Sequence, residues 1–261
     1  SVHGGLGAEG LAPPRRWGTA KAREFVRQLG FPAEFGAAQT ARREPEEWSQ
    51  GPFSLPPLHD FQEEVRDGVK AMIDQEKTER KAVINLPTGG GKTRVTVEMA
   101  VDFILKPASA RRGVLWVAQS GELCEQAVQA FQQVWPNRGA ERTDLRIIRM
   151  WGGNKTPKSL PSEGVPFVVV ASIQTLTTRN GIEGGDWASL FGMLVIDECH
   201  HAIAPSYTSL LRYVGVDARG VEEQQNHELV ILGLSATPFR SDENESKRLA
   251  KRFGGKYFPK N

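Results

Sequence analysis

Three consecutive glycines, Gly89, Gly90 and Gly91, stand directly before Lys92 and Thr93 in the stretch LPTGGGKT. Glycine adopts backbone angles at which a side chain would clash, so such a run lets successive N–H groups converge on one anion. A lysine ammonium can then reach the outer phosphates of a nucleotide, and a threonine hydroxyl can ligate its magnesium ion. Thr88 opens the loop. The general phosphate-loop pattern, however, asks for glycine where this chain has Leu86. A second candidate lies further on, where GMLVIDECHH runs apolar residues straight into Asp197 and Glu198. Carboxylates at the carboxyl end of a sheet strand sit where α/β folds bind ligands. Asp197 suits a magnesium ion, and Glu198 suits the general base that polarises an attacking water. Cys199, His200 and His201 follow consecutively, without the C-x2-C or H-x3-H spacing that aims ligands at one zinc ion.

These groups need a scaffold, and the pattern of apolar residues supplies one. LHDFQEEVRDGVKAMI spaces Leu58, Phe61, Val65, Val69 and Met72 as a helix does. KAVINL, GVLWVA, LRIIRM, VPFVVVAS, GMLVIDE and ELVILGLSA read as six short strands. Continuous apolar runs, as opposed to alternating ones, suit parallel strands covered on both faces. Between the second and third, GELCEQAVQAFQQVW forms a helical stripe that ends at Pro136. The expected fold is α/β, a doubly wound and mostly parallel sheet. TRVTVEMAVDFIL alternates like a strand, but a phosphate loop works by aiming a helix N-terminus at the anion, so it is assigned as helix. Residues 1–52 read as an N-terminal extension and linker with one short helix around TAKAREFVRQLGF, and residues 53–261 as the α/β domain.

Composition bounds the rest. The 261 residues are 39% hydrophobic and 25% charged with a net charge of +2, ordinary for a globular chain and without a global field for nucleic acid. The two cysteines, Cys124 and Cys199, argue against a disulfide framework and for the reducing cytoplasm. No apolar run approaches the roughly 18 residues that span a membrane. The opening residues lack an initiator methionine and a signal-peptide core, which reads as an excised fragment.

LPTGGGKT, DECH and LSATPFR, in that order, resemble the first motor domain of superfamily-two helicases and translocases, a RecA-like P-loop NTPase domain. In that family the leading glycine of the loop is often replaced, which accounts for Leu86. The resemblance implies ATP and Mg2+ as cofactors. Thr88, Gly89, Gly90, Gly91, Lys92 and Thr93 would hold the phosphates, Thr93 and Asp197 the magnesium, and Lys92, Asp197 and Glu198 would be catalytic. LHDFQ resembles the adenine-reading motif, with Gln62 facing the adenine edge and Phe61 packing in the core. SATP resembles the motif coupling hydrolysis to domain movement, through Ser235 and Thr237 with His200 as partner across the cleft. Ser120 and Gly121, Gly152 and Gly153, and Ser172, Gln174 and Thr175 fall in motifs that would hold one strand's phosphates without reading sequence.

The chain departs from the pattern at QSGE, where the family often has a basic residue, and it stops at FGGKYFPKN before any second motor domain. That domain would be a partner and would supply arginine fingers, worth roughly 10³ to 10⁵ in rate. Weak turnover by this chain alone is therefore expected. DECHHAIAPSYTSLL resembles the bacterial branch with restriction-enzyme motor subunits and phage-defence helicases, so the expected partner is DNA. An RNA helicase domain, or a nucleotide switch without translocation, is the alternative. Trp116 and Trp135 read as core, and Trp151 as core or base-stacking. Arg111, Arg112, Arg138, Arg142, Arg146 and Arg149 read mostly as solvated surface, with a minority on phosphate.

Overall fold

The computed structural model describes residues 20–28, 46–49, 55–74, 80–105, 111–138, 144–154, 165–178, 187–216, 229–237 and 243–259. Contacts between Cα atoms divide the chain into two compact units, Ser1–Glu44 and Pro45–Asn261. The described part of the first unit is helix α1, Ala20–Gln28, the short helix expected there. Everything below concerns the second unit.

Its eight strands are β1 (Glu46–Ser49), β2 (Lys81–Asn85), β3 (Gly113–Ala118), β4 (Leu145–Met150), β5 (Phe167–Ser172), β6 (Phe191–Ile196), β7 (Val230–Ser235) and β8 (Tyr257–Phe258). They form one sheet in the order β1-β4-β5-β3-β6-β7-β2-β8. β1 pairs antiparallel with β4, and every other pairing is parallel. All six expected strands are present as β2 to β7. β3, β5, β6 and β7 are buried at every position, which is why they read as continuous apolar runs.

The helices are α2 (Asp60–Asp74), α3 (Lys92–Leu105), α4 (Gly121–Arg138), α5 (Ile173–Thr178), α6 (Pro205–Tyr213) and α7 (Glu243–Arg252). Along β3, Val114, Trp116 and Ala118 face a core shared with α2, α3 and α4. Leu115 and Val117 face the opposite core, shared with α5, α6 and α7. This is the doubly wound arrangement expected.

One local reading holds and two change. The alternating TRVTVEMAVDFIL is indeed helical, and its period is obscured because nine of the fourteen residues of α3 are buried. α4 runs through Pro136 to Arg138 instead of stopping before it. Proline this late removes only a bond at the helix end. The sheet also begins earlier than residue 53, since β1 lies in the stretch assigned to the linker and hydrogen-bonds β4.

Because β2 to β7 are parallel, their carboxyl ends open at one end of the sheet. The glycine loop after β2, Asp197 after β6, Ser235 ending β7, Ser120 after β3, Gly152 after β4 and Ser172 ending β5 all lie at that end.

Candidate functional site

The phosphate-type loop is built from β2 into α3. Leu86 is 3% exposed and packs in the core beyond the end of β2. A glycine there would forfeit that contact, which explains the departure from the general pattern. The Leu86 carbonyl accepts from Lys92 Nζ at 3.0 Å, and the Pro87 carbonyl lies at 3.3 Å from the same ammonium. The loop's own carbonyls therefore place the lysine over the turn. Thr88 is exposed, and Gly89 and Gly91 adopt φ of 79° and 78°. α3 begins at Lys92, so the first-turn N–H groups and the positive end of its dipole face the loop, with Thr93 half-buried in that turn.

Gln62 locks this loop from behind. It is 8% exposed, its Oε1 accepts the His59 N–H at 3.0 Å, and its Nε2 donates to the Gly90 carbonyl at 3.1 Å. A primary amide still has a second N–H and a second lone pair for a ligand. Phe61, expected in the core, is 43% exposed. Its ring stacks on His59 with centroids 5.8 Å apart and 5° between planes. The reason is helix phase: the buried stripe of α2 runs through Gln62, Val65, Val69, Met72 and Ile73, and Phe61 falls off it.

Asp197 is 6% exposed at the end of β6. Its N–H donates to the Val117 carbonyl at 2.8 Å, and its Oδ1 accepts the Glu198 N–H at 3.0 Å. Burial pushes its carboxyl up to about 6. The Glu198 N–H opposes this, the Glu198 charge adds to it, and the Lys92 ammonium pulls back toward ionisation. The Trp116 indole also favours the ionised form, although its Nε1 lies outside hydrogen-bond geometry. A divalent cation would offset the cost of burying that charge, so the side chain fits such a ligand.

Glu198 has φ of 48° and ψ of 54°, the one non-glycine residue with positive φ among the described residues. That conformation costs about 1–2 kcal/mol for an L residue and turns the chain sharply out of β6. Of the three side chains after it, Cys199 turns away from the two histidines. His200 Nδ1 lies 3.2 Å from Glu198 Oε2, and its ring meets that of His201 with centroids 4.0 Å apart. Cys199 is fully buried against Gly233 of β7, and burial pushes its thiol well up, away from the reactive thiolate.

β7 lies between β6 and β2 in the sheet, and Ser235 is in register with Asn85 of β2. Ser235 is buried and its Oγ accepts the Thr237 N–H at 3.1 Å, while Thr237 is exposed. Pro238 to Arg240 lie outside the described residues. His200 Nδ1 is near Glu198 Oε2 but outside hydrogen-bond geometry, and Cys199 packs the DECH turn on Gly233 of β7.

The expected strand-binding residues gather in the other half of the sheet, at the ends of β3, β4 and β5. Ser120 is exposed and its Oγ accepts the Leu123 N–H at 3.3 Å, capping α4. Gly121 lies under Trp151, which is half-buried at the edge of the core. Gly152 and Gly153 are exposed with φ of 61° and 92°. Ser172 is 7% exposed, and its hydroxyl accepts the Thr175 N–H at 3.3 Å and meets Thr175 Oγ1 at 2.9 Å. These two hydroxyls form a cap on α5, whereas Gln174 is exposed. Trp116 and Trp135 are fully buried, as expected.

Two arginines read as surface are structural. Arg149 is 1% exposed with Nε 3.6 Å from Glu125 Oε2, and Arg138 pairs with Asp102 and Glu98. The sequence also hides Tyr207 of α6, whose buried hydroxyl is pushed up by burial, opposed by the Gln119 side chain and raised further by the Asp197 charge. No local spacing links Tyr207 to either partner.

A glycine loop at the end of β2, an acidic turn at the end of β6 and a parallel sheet with helices on both faces define a P-loop NTPase domain of the RecA-like class. The family model described as "Type III restriction enzyme, res subunit" matches residues 56–240, and the chain belongs to that family. It is the first RecA-like motor domain of a superfamily-two protein. Residues of this chain are 28% identical over 186 positions to irc3 of Schizosaccharomyces pombe, named as a proposed mitochondrial ATP-dependent helicase. They are 27% identical over 195 positions to IRC3 of Saccharomyces cerevisiae, named as a proposed ATP-dependent helicase. The matches cover 71% and 73% of this chain but 27% and 25% of those relatives, so the chain spans about a quarter of their length. Its fold is similar to that of the UvsW helicase from bacteriophage T4, with a TM-score of 0.52, 20% identity, and 80% of this chain and 62% of that one covered.

Proposed function

We propose that this chain is the ATP-hydrolysing half of a DNA helicase or translocase motor. The observation that carries it is the placing of Asp197 and Glu198 one strand away from the loop that bears Lys92, with β7 and its Ser235 between them. In this reading the loop N–H groups and Lys92 bind the β- and γ-phosphates and Gln62 reads the adenine edge. Glu198 accepts a proton from the attacking water, and His200 partners the SATP segment across the cleft. Thr93 and Asp197 would hold Mg2+, which when bound neutralises phosphate charge. The raised carboxyl of Asp197 supports that role, because a divalent cation offsets the cost of burying its charge.

Shifts of the acidic turn reach β7 through Cys199 and Gly233, and Ser235 and Thr237 convey them onward. Ser120, Gly121, Gly152, Gly153 and Gln174 hold strand phosphates from the far half of the sheet. Ser172 and Thr175 shape the last of these loops. DNA is the preferred partner, supported by family membership, and a second motor domain would complete the nucleotide site. A restriction or phage-defence setting is part of this reading. No helix among the described residues is long and apolar enough to cross a membrane, and a reducing cytoplasm fits the two buried, free cysteines.

The test is ATP binding and turnover by the intact protein that carries this chain, with DNA, with RNA and without either. Lys92→Ala should abolish nucleotide binding. Glu198→Gln should bind ATP normally and lose DNA-stimulated turnover; wild-type turnover in that variant would remove Glu198 as the base.

A further inference from the structure

Arg94 follows the GKT triplet in the first turn of α3, and none of the motifs above uses it. Its Nε donates to Glu98 Oε1 at 2.6 Å, and its Nη2 donates to the Pro56 carbonyl at 2.9 Å, across 38 residues of sequence. Glu98 is 3% exposed on α3. Its second oxygen, Oε2, accepts Arg138 Nη1 at 3.1 Å, and Arg138 Nη2 pairs with Asp102 at 2.6 and 2.8 Å. The buried carboxylate thus fixes the guanidinium of Arg94, and the outer edge of that guanidinium grips the backbone at Pro56.

Pro56 and Pro57 are exposed and carry no N–H, so this stretch can be held through hydrogen bonds only by its carbonyls. Just beyond come His59 and Phe61, stacked on each other, and Gln62, which bonds both the His59 N–H and the Gly90 carbonyl. Arg94 and Gln62 therefore pin the segment from Pro56 into the first turn of α2 at two points, against α3 and the phosphate loop.

We infer that Arg94, locked by Glu98, is a positioning residue for base selectivity. It sets the His59–Gln62 segment at the start of α2 at a fixed distance from the phosphate loop, so that only a base of the right edge and size satisfies both. This rests on reading that segment as the adenine site. Arginine is required because one guanidinium serves a carboxylate and a carbonyl together, which a single ammonium does with poorer geometry.

The experiment is displacement of a fluorescent ATP analogue from this chain by ATP, by GTP and by inorganic tripolyphosphate. In Arg94→Ala, ATP affinity should fall about tenfold, a loss typical of a charge-assisted hydrogen bond. GTP and tripolyphosphate should stay within about twofold, so the ATP-to-GTP ratio collapses, as it also should in Gln62→Ala. Equal weakening of all three ligands would mark Arg94 as merely structural and overturn the inference. An intact ratio in Arg94→Ala with a collapsed ratio in Gln62→Ala overturns the inference but leaves the adenine reading standing. An intact ratio in both removes that reading too. Should Arg94→Ala not fold, Arg94→Lys replaces it; it should lose selectivity in the same direction, and an unchanged ratio would again overturn the proposal.

Discussion

Cys199 packs against the backbone of Gly233: a Cβ built on Gly233 would lie 2.8 Å from both Cβ and Sγ of Cys199. The Phe253 ring lies equally close. Behind the same turn, Arg252 donates to the Ala202 carbonyl and, at 2.9 Å, to Thr208 Oγ1. The acidic turn after β6 is therefore seated directly on β7, the strand that ends in Ser235. Gly233→Ala must push that turn away, because the atoms it meets are the root of a side chain and a packed ring. The expected loss is about 1–3 kcal/mol in urea unfolding, the usual cost of overpacking. ATP turnover in the intact protein should fall by more than ATP binding does.

Asp197 sets a pH dependence. Its carboxyl ordinarily titrates at 3.8 and here at about 6, so the folded protein holds the proton more tightly than the unfolded chain. Below pH 3.8 both states are protonated and the group costs nothing. As pH rises from 3.8 to 6 the unfolded chain ionises while the folded state keeps its proton, so stability falls by about 3 kcal/mol and stays lower above pH 6. Asp197→Asn should therefore be more stable than wild type at pH 7.5 and equal to it near pH 3.5. Urea unfolding in EDTA at the two pH values measures this; a variant less stable at pH 7.5 contradicts it.

Two glycines in one loop should differ. Gly89 and Gly91 both have positive φ, but a Cβ on Gly89 meets nothing within 4 Å, whereas one on Gly91 lies 2.4 Å from Gln62 Nε2. Gly89→Ala should carry only the left-handed penalty of about 1–2 kcal/mol. Gly91→Ala should add the loss of the Gln62–Gly90 bond and weaken ATP binding roughly tenfold further. Calorimetric titration of both variants separates the two effects.

Phe61 offers a clean separation of binding from stability. Being 43% exposed, it contributes little to the core, and Phe61→Ala should change unfolding free energy by no more than about 0.5 kcal/mol. If the His59–Phe61 pair lies beside the base, ATP affinity should still drop several-fold. A thermal melt and a nucleotide titration on the same variant decide it, and unchanged affinity would remove the pair from the site.

The sheet was legible wherever strands are buried on both faces, because such strands must be apolar throughout. β1 (EEWS) and β8 (YF) escaped notice, being short edge strands without such a run. The α2 stripe was legible to within one residue, yet that residue exchanged Phe61 for Gln62 at the buried position, since helix phase is set by what the helix packs on. The glycine loop and the acidic turn are contiguous stretches, and residue type with spacing identifies them without a partner in view.

Glu98, Arg138 and Arg149 show the other case. Arg138 reaches Asp102 and Glu98 across 36 and 40 residues, Arg149 lies beside Glu125, and no window of sequence marks a charge as buried. What the sequence by itself determined is the chemistry: a nucleotide loop, a pair of acids and the strands that carry them. Only the tertiary structure decided which of these groups meet. Parallel strands bring distant segments to one edge, and burial there raises the Asp197 carboxyl, seats Cys199 on Gly233 and holds Arg94 to Pro56.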